Sequence, residues 1–267
     1  MTKYLIAISL FSFLFVSCTP SESTKKEEHS ETNTNTSKPV RVYIASQGSE
    51  SLPFYSWKEG AKEPTGIEPR LISYILHQAG LEFEYVTDYQ YQGEGDPRVL
   101  AVAEGHADVS IRGITVNEER AQQVLFSDSY YTDGLGIMVM QESELFKKED
   151  LKEKKVFAYR FSTSYKWAEE NLKESQLMST KDFGLEVAPY ELLEQGKIDA
   201  LLTDYSALKR IQNKLPNTRL FPRKFTQEEY GIAISKEHPE IKEKIDKVIQ
   251  EMRESGRLAD FTSGFEK

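Results

Sequence analysis

The chain has 267 residues, with 34 Lys and Arg against 43 Asp and Glu, for a formal net charge of −9. That balance argues against a nucleic-acid grip, which needs clustered positive charge, and a single cysteine excludes an internal disulfide or a cysteine-rich zinc site. Hydrophobic residues at 39% and charged residues at 29% suit a globular protein of one large domain or two modest ones; the scattered His29, His77, His106 and His238 show no metal-ligand spacing.

Residues 1–17 read as a secretory signal. Lys3 supplies a positive start, and the apolar run from Tyr4 to Val16 is broken only by Ser9 and Ser12. At 1.5 Å per residue such a run reaches about 20 Å, short of the ~30 Å hydrocarbon core. The lone cysteine follows at once, in Phe15-Val16-Ser17-Cys18. This resembles a bacterial lipobox, whose cysteine is lipidated and becomes the mature N-terminus; a structural cysteine or plain signal cleavage nearby is the alternative. Residues 18–39 are mostly Ser, Thr, Glu, Lys and Asn, with no large apolar side chain. Such a segment buries too little surface to offset its ordering entropy, so a flexible tether is expected.

The folded part is expected over 40–267. Residues 41–45 read as a strand, 69–80 as a helix with Pro69 in its first turn and Gly80 as its stop, and 81–86 as a half-buried strand alternating with period two. A helix over 98–104 then leads through Gly105 to a short buried strand at 107–111. Further on come a strand at 155–159, the hydroxyl run Ser162-Thr163-Ser164 opening a helix to 172, a strand at 229–235 and an amphipathic helix at 239–253. The alternation places the chain in the α/β class.

One sentence is written twice. Ala103-Glu-Gly-His-Ala-Asp-Val-Ser110 lines up with Glu194-Gln-Gly-Lys-Ile-Asp-Ala-Leu201, each a helix end, a glycine, two residues, an aspartate and an apolar strand. In that register Gly113 falls opposite Asp204, each just past the carboxyl end of its strand, where open α/β sheets bind ligands. Two copies predict two α/β lobes that share a cleft.

Gly113-Ile-Thr-Val-Asn-Glu-Glu-Arg120, Phe126-Ser-Asp-Ser-Tyr-Tyr131 and Tyr230-Gly-Ile-Ala-Ile234, in this order, resemble the extracellular solute-binding proteins of family 3, the amino-acid receptors of ABC importers. The resemblance implies a type II periplasmic-binding-protein fold: two lobes of mixed sheet flanked by helices, with 40–132 plus 229–267 as lobe 1, 133–228 as lobe 2, and two crossovers as hinges. It implies a lipid-anchored, extracytoplasmic, monomeric receptor without cofactor, metal or catalytic residue, which captures a polar amino acid and delivers it to an ABC permease. By position, Arg120 would fork onto the ligand's α-carboxylate, with Thr115 and Gly113 completing that pocket and Thr163 contributing from the second lobe. Asp204 would take the α-ammonium. Read as residues alone, Arg120 is a solvated helix arginine, Thr163 an N-cap and Asp204 a strand-end aspartate.

Three departures from the family pattern bear on the ligand. The aromatic expected before Pro53-Phe54 is missing, leaving Glu50 or Ser51 in that region. The aromatic expected before the helix at Arg98 is displaced into the Tyr89–Pro97 stretch, where Tyr91 is the candidate to stack on ligand. Arg112 and Arg160 add cations near the cleft, which favours an acidic side chain such as glutamate or aspartate; Arg112 pairing with a neighbouring carboxylate is the plainer reading. Two other functions stay open: an enzyme of the cyclohexadienyl-dehydratase kind on the same scaffold, and a ligand sensor not coupled to transport.

Overall fold

The chain builds two five-stranded sheets of the same design. The structure, a computed structural model, describes residues 38–51, 54–91, 93–184 and 188–265; the signal segment, Cys18 and the tether to residue 37 lie outside the described residues. In the first sheet the spatial order is Phe83–Tyr85, Val40–Tyr43, Val109–Ser110, Ala233–Ile234, Leu125–Phe126. In the second it is Gln176–Met178, Lys155–Phe157, Ala200–Asp204, Leu135–Met140, Thr218–Leu220. Both run parallel through their first three strands, and in both the fourth strand is antiparallel to its two neighbours.

The repeated sentence does the same work in each sheet. The helices Pro97–Ala103 and Pro189–Glu194 end just before Gly105 and Gly196, which sit at φ 77° and 65°. Only a residue without Cβ takes that conformation freely, so glycine turns the chain straight into the next strand. The aspartate three residues past each glycine then ties down the neighbouring parallel strand. Asp108 Oδ2 accepts the Arg41 N–H and Asp199 Oδ2 accepts the Lys155 N–H, both at 2.8 Å. Asp108 also grips the Arg41 guanidinium at 2.6 Å, which with the other contacts of Arg41 outweighs burial and holds its carboxyl below the usual range. Asp108→Ala is expected to destabilise the chain by about 2 kcal/mol and the exposed Asp199→Ala by about 1 kcal/mol, which urea unfolding of the two variants measures. The Asp108 contribution is present above the unfolded carboxylate range and is lost as pH falls through the depressed folded value.

Helices cover the sheets with the stripes the sequence predicts. Ile67–Gln78 buries Leu71, Ile72, Ile75 and Leu76, and Pro239–Glu254 buries Ile241, Ile245, Val248, Ile249 and Met252; both pack into the core of the first lobe. Each such aliphatic side chain contributes about 1.5–3 kcal/mol by leaving water. The second lobe has its own core around Ile137, Val156, Ala200 and Phe221.

The chain passes between the sheets twice. Tyr131–Asp133 leads out and Glu228–Tyr230 leads back, paired antiparallel in a ribbon of two strands. The strand predicted at 229–235 is therefore two strands, Glu228–Tyr230 and Ala233–Ile234. The break falls where the backbone leaves the ribbon and enters the first sheet, with the Gly231 N–H donating to Ile114 O at 3.0 Å. At the other crossover Gly134 lies so close to the returning chain that a Cβ there would meet Thr226 O at 2.0 Å. Only glycine permits that approach.

Candidate functional site

The carboxyl ends of the two central parallel strands face one cleft. Val109–Ser110 runs toward Arg112 and Gly113, and Ala200–Asp204 delivers Asp204, and these three residues border a cavity of about 730 Å3. That volume suits a small ligand. Phe54, Tyr55, Glu68 and Arg98 line the first-lobe side, and Tyr159, Arg160, Phe161, Tyr190 and Arg210 the second.

Arg120 stands behind this wall. It is 6% exposed, its Nη2 lies 2.6 Å from Asp96 Oδ2, and its Nη1 donates to Thr115 O at 2.9 Å. Asp96 caps the helix Pro97–Ala103 by accepting the Arg98 N–H, and it also receives the Arg98 guanidinium at 2.5 Å. One carboxylate thus serves two arginines. Burial alone would raise the Asp96 carboxyl, but Arg98 and then Arg120 hold it well below the usual range. Arg98 completes its fork on Arg112 O at 2.6 Å and Gly113 O at 3.2 Å, so it braces the loop that carries Arg112.

A second internal carboxylate occupies the hinge side. Glu228 Oε2 accepts from the Thr115 hydroxyl at 2.6 Å and from the Thr163 hydroxyl at 2.9 Å. Thr115 belongs to the first lobe and Thr163 opens the second-lobe helix Thr163–Asn171, so one oxygen joins both lobes to the returning crossover. Two exposed ion pairs also span the lobes: Arg160 Nη2 to Glu94 Oε2 at 2.7 Å and Lys166 Nζ to Glu119 Oε2 at 2.8 Å. Phe161, beside them, sits at φ 64°. A side chain in that left-handed region costs roughly 1–2 kcal/mol, and the ring lies under the Arg160 guanidinium at 4.5 Å.

Within the cleft the charges are unequal. Asp204 is pushed up to about 7, first by burial and then by the carboxylates of Glu228 and Asp133, with Arg98 and the Tyr230 hydroxyl opposing. Burial also raises Glu68, although its Oε1 accepts from the Gly113 N–H at 2.6 Å and from the Tyr130 hydroxyl at 2.8 Å. Arg112 has the Tyr55 hydroxyl at 3.5 Å and the Tyr55 ring at 5.5 Å, and no ion pair among the described residues. Arg210 lies over the Phe54 ring at 4.0 Å and reaches Ser51 Oγ at 3.3 Å, also without an ion pair among the described residues. Burial lowers it to about 10. Among the described residues no group of three or more His, Cys, Asp or Glu side chains is placed to hold a metal ion.

Of the residues singled out from the sequence, Gly113, Asp204, Arg160, Arg112 and Ser51 border the cavity, whereas Arg120, Thr115 and Thr163 lie behind its lining, on the two internal carboxylates. The Tyr91 hydroxyl bonds Gly95 O at 2.8 Å in its own loop, outside the lining; Tyr55, Tyr159, Tyr190 and Tyr230 border the cleft. Sequence reasoning missed Arg98 and Arg210. A signal for Arg210 was there: Ala207, Arg210, Ile211 and Lys214 recur at helical spacing from Asp204 and form the cleft face of the helix Tyr205–Lys214.

Two lobes of like topology, paired crossovers and a charged cleft at the strand ends define the type II periplasmic-binding-protein architecture. Residues 45–265 match the bacterial extracellular solute-binding proteins, family 3, and the chain belongs to that family. It is similar to the ABC transporter glutamine-binding protein GlnH of Bacillus subtilis (strain 168), at 30% identity over 161 residues, which are 60% of this chain and 58% of that protein. The chain thus spans little more than half the length of that relative. It is also similar to the L-cystine-binding protein TcyJ of Escherichia coli (strain K12), at 25% identity over 212 residues, 78% of this chain and 76% of that one. Among solved structures, an ancestral arginine-binding protein bound to arginine superposes with a TM-score of 0.72 at 27% identity, covering 86% of this chain and 98% of the other.

Proposed function

We propose that this chain is a non-enzymatic extracytoplasmic receptor, anchored through a lipid on Cys18, that closes its lobes over a polar amino acid and hands it to an ABC permease. The observation that carries this reading is the cleft itself: a carboxylate at the end of a central strand of one lobe faces a cavity that guanidiniums of both lobes border. A zwitterion needs one anion and one cation in that arrangement. Asp204 would take the ammonium, and an acidic side chain would answer the surplus of positive charge. Arg120, Thr115 and Thr163 would act one step back, by holding Asp96 and Glu228 in place.

The test is a thermal-shift screen of the chain against the twenty amino acids and several dicarboxylates. A ligand at a hundred times its dissociation constant adds about 2.7 kcal/mol, which for a chain of this size is roughly a 5–10 °C rise in melting temperature. A rise confined to a few polar amino acids supports the receptor. No rise with any of them sinks it.

A further inference from the structure

Resting on that reading, we infer that Arg112 and Arg210 form a split anion clamp, one guanidinium from each lobe, which selects a ligand with two carboxylates over its amide counterpart. Both border the cavity, and neither has an ion pair among the described residues. They lie over the rings of consecutive residues, Arg112 at 5.5 Å from Tyr55 and Arg210 at 4.0 Å from Phe54, which puts the two cations beside one stretch of wall. The Arg210 Nε is buried with no hydrogen-bond partner among the described residues. A donor so placed, on a charged group, is costly to leave unmatched.

The other arginines at the cleft are already answered, and Lys214 borders it as a further cation. Arg98 and Arg120 share Asp96, and Arg160 has Glu94. No acid makes an ion pair with Arg112 or Arg210 among the described residues: Glu68 turns one oxygen to Gly113 and Tyr130 and keeps the other buried without a hydrogen-bond partner, and Asp204, which borders the cavity at the start of the helix that bears Arg210, would take an ammonium. Two unmatched guanidiniums and one such carboxylate fit a molecule with two carboxylates and one ammonium, an acidic amino acid. Arg210 comes from the second lobe but already reaches Phe54 and Ser51 of the first, so a carboxylate held by both guanidiniums would tie the two lobes at that point. An amide in place of one carboxylate presents an NH2 group to a donor that needs an acceptor, which is the basis of discrimination.

The test is calorimetric titration of the full chain, in detergent, with L-glutamate, L-aspartate, L-glutamine, L-asparagine and succinate, for the wild type and for Arg112→Met, Arg210→Met and Arg210→Lys. Melting of each variant without ligand verifies its fold. One acid should bind at least about 30-fold more tightly than its amide, and each Met variant should lose about 100-fold in affinity for the acid. Arg210→Met should narrow the acid-to-amide ratio to a few-fold, and Arg210→Lys should restore part of it. An amide bound as tightly as its acid, or an acid preference that survives both Met substitutions, overturns the clamp while leaving the receptor reading intact. Succinate bound in an Arg210-dependent way, with no amino acid bound, keeps the clamp and removes the amino-acid ligand. No binding of any of the five overturns the clamp, while the receptor reading stands or falls with the screen of all twenty amino acids.

Discussion

Replacing Asp204 with asparagine should weaken binding of an ammonium-bearing ligand about 100-fold at pH 8 and should flatten its pH dependence, because a buried charge partner is removed while the shape of the site is kept. In the wild type the carboxyl sits at about 7, so below that pH it is mostly protonated and presents no charge to an ammonium. Affinity should therefore fall roughly tenfold from pH 8 to pH 6 and stop rising above pH 8. The unliganded chain should move the opposite way. A carboxyl raised above its unfolded value binds its proton more tightly in the folded state, so its contribution to stability is present at low pH and is lost as pH rises through about 7. Titrations and melts of the wild type and of Asp204→Asn across pH 5.5–8.5 measure both trends. A wild-type affinity flat with pH would remove Asp204 from ligand contact.

Gly134→Ala should be among the most damaging single changes in the chain. Its Cβ would meet a backbone oxygen, Thr226 O, at 2.0 Å, and neither side has a rotamer with which to escape. The neighbouring backbone is committed as well: the Tyr205 N–H donates to Gly134 O and the Phe225 N–H to Leu135 O, both at 2.8 Å. We expect a loss of about 3 kcal/mol, read by calorimetry as a fall in melting temperature of roughly 6–12 °C. Gly136→Ala is the control. Its Cβ would meet the Tyr205 ring at 2.8 Å and Leu208 Cδ1 at 3.0 Å, side chains that can shift, so its loss should be smaller.

The architecture was legible because it rests on local patterns. The glycine stops at 105 and 196, the aspartates at 108 and 199 and the stripes of two long helices all act within a few residues of where they are written. Gly113 and Asp204 could be placed at the cleft for the same reason, since one lies just past the end of its strand and the other ends its own. What could not be read depends on partners far apart in the chain. Asp96 and Arg120 are 24 residues apart and Thr115 and Glu228 are 113 apart, and no spacing rule says that an arginine matching a ligand-binding position will meet a carboxylate of its own chain. The place of Tyr91 before a helix does not say whether its ring faces the cleft or closes back on Gly95, which the path of its loop decides. The break at Gly231 was hidden because an apolar run looks the same whether it stays in one sheet or passes between two.

The contacts that span the lobes differ in what the surrounding solution does to them. Glu94 and Glu119 meet Arg160 and Lys166 with side chains that are 74% and 66% exposed, so mobile ions screen both pairs over a Debye length of about 8 Å at physiological ionic strength. The Glu228 bridge is 6% exposed and uses hydroxyl donors, which salt scarcely reaches. Adding sodium chloride should therefore weaken the two exposed pairs and leave the Glu228 bridge in place, so that ionic strength separates the contacts between the lobes into a variable set and a constant one.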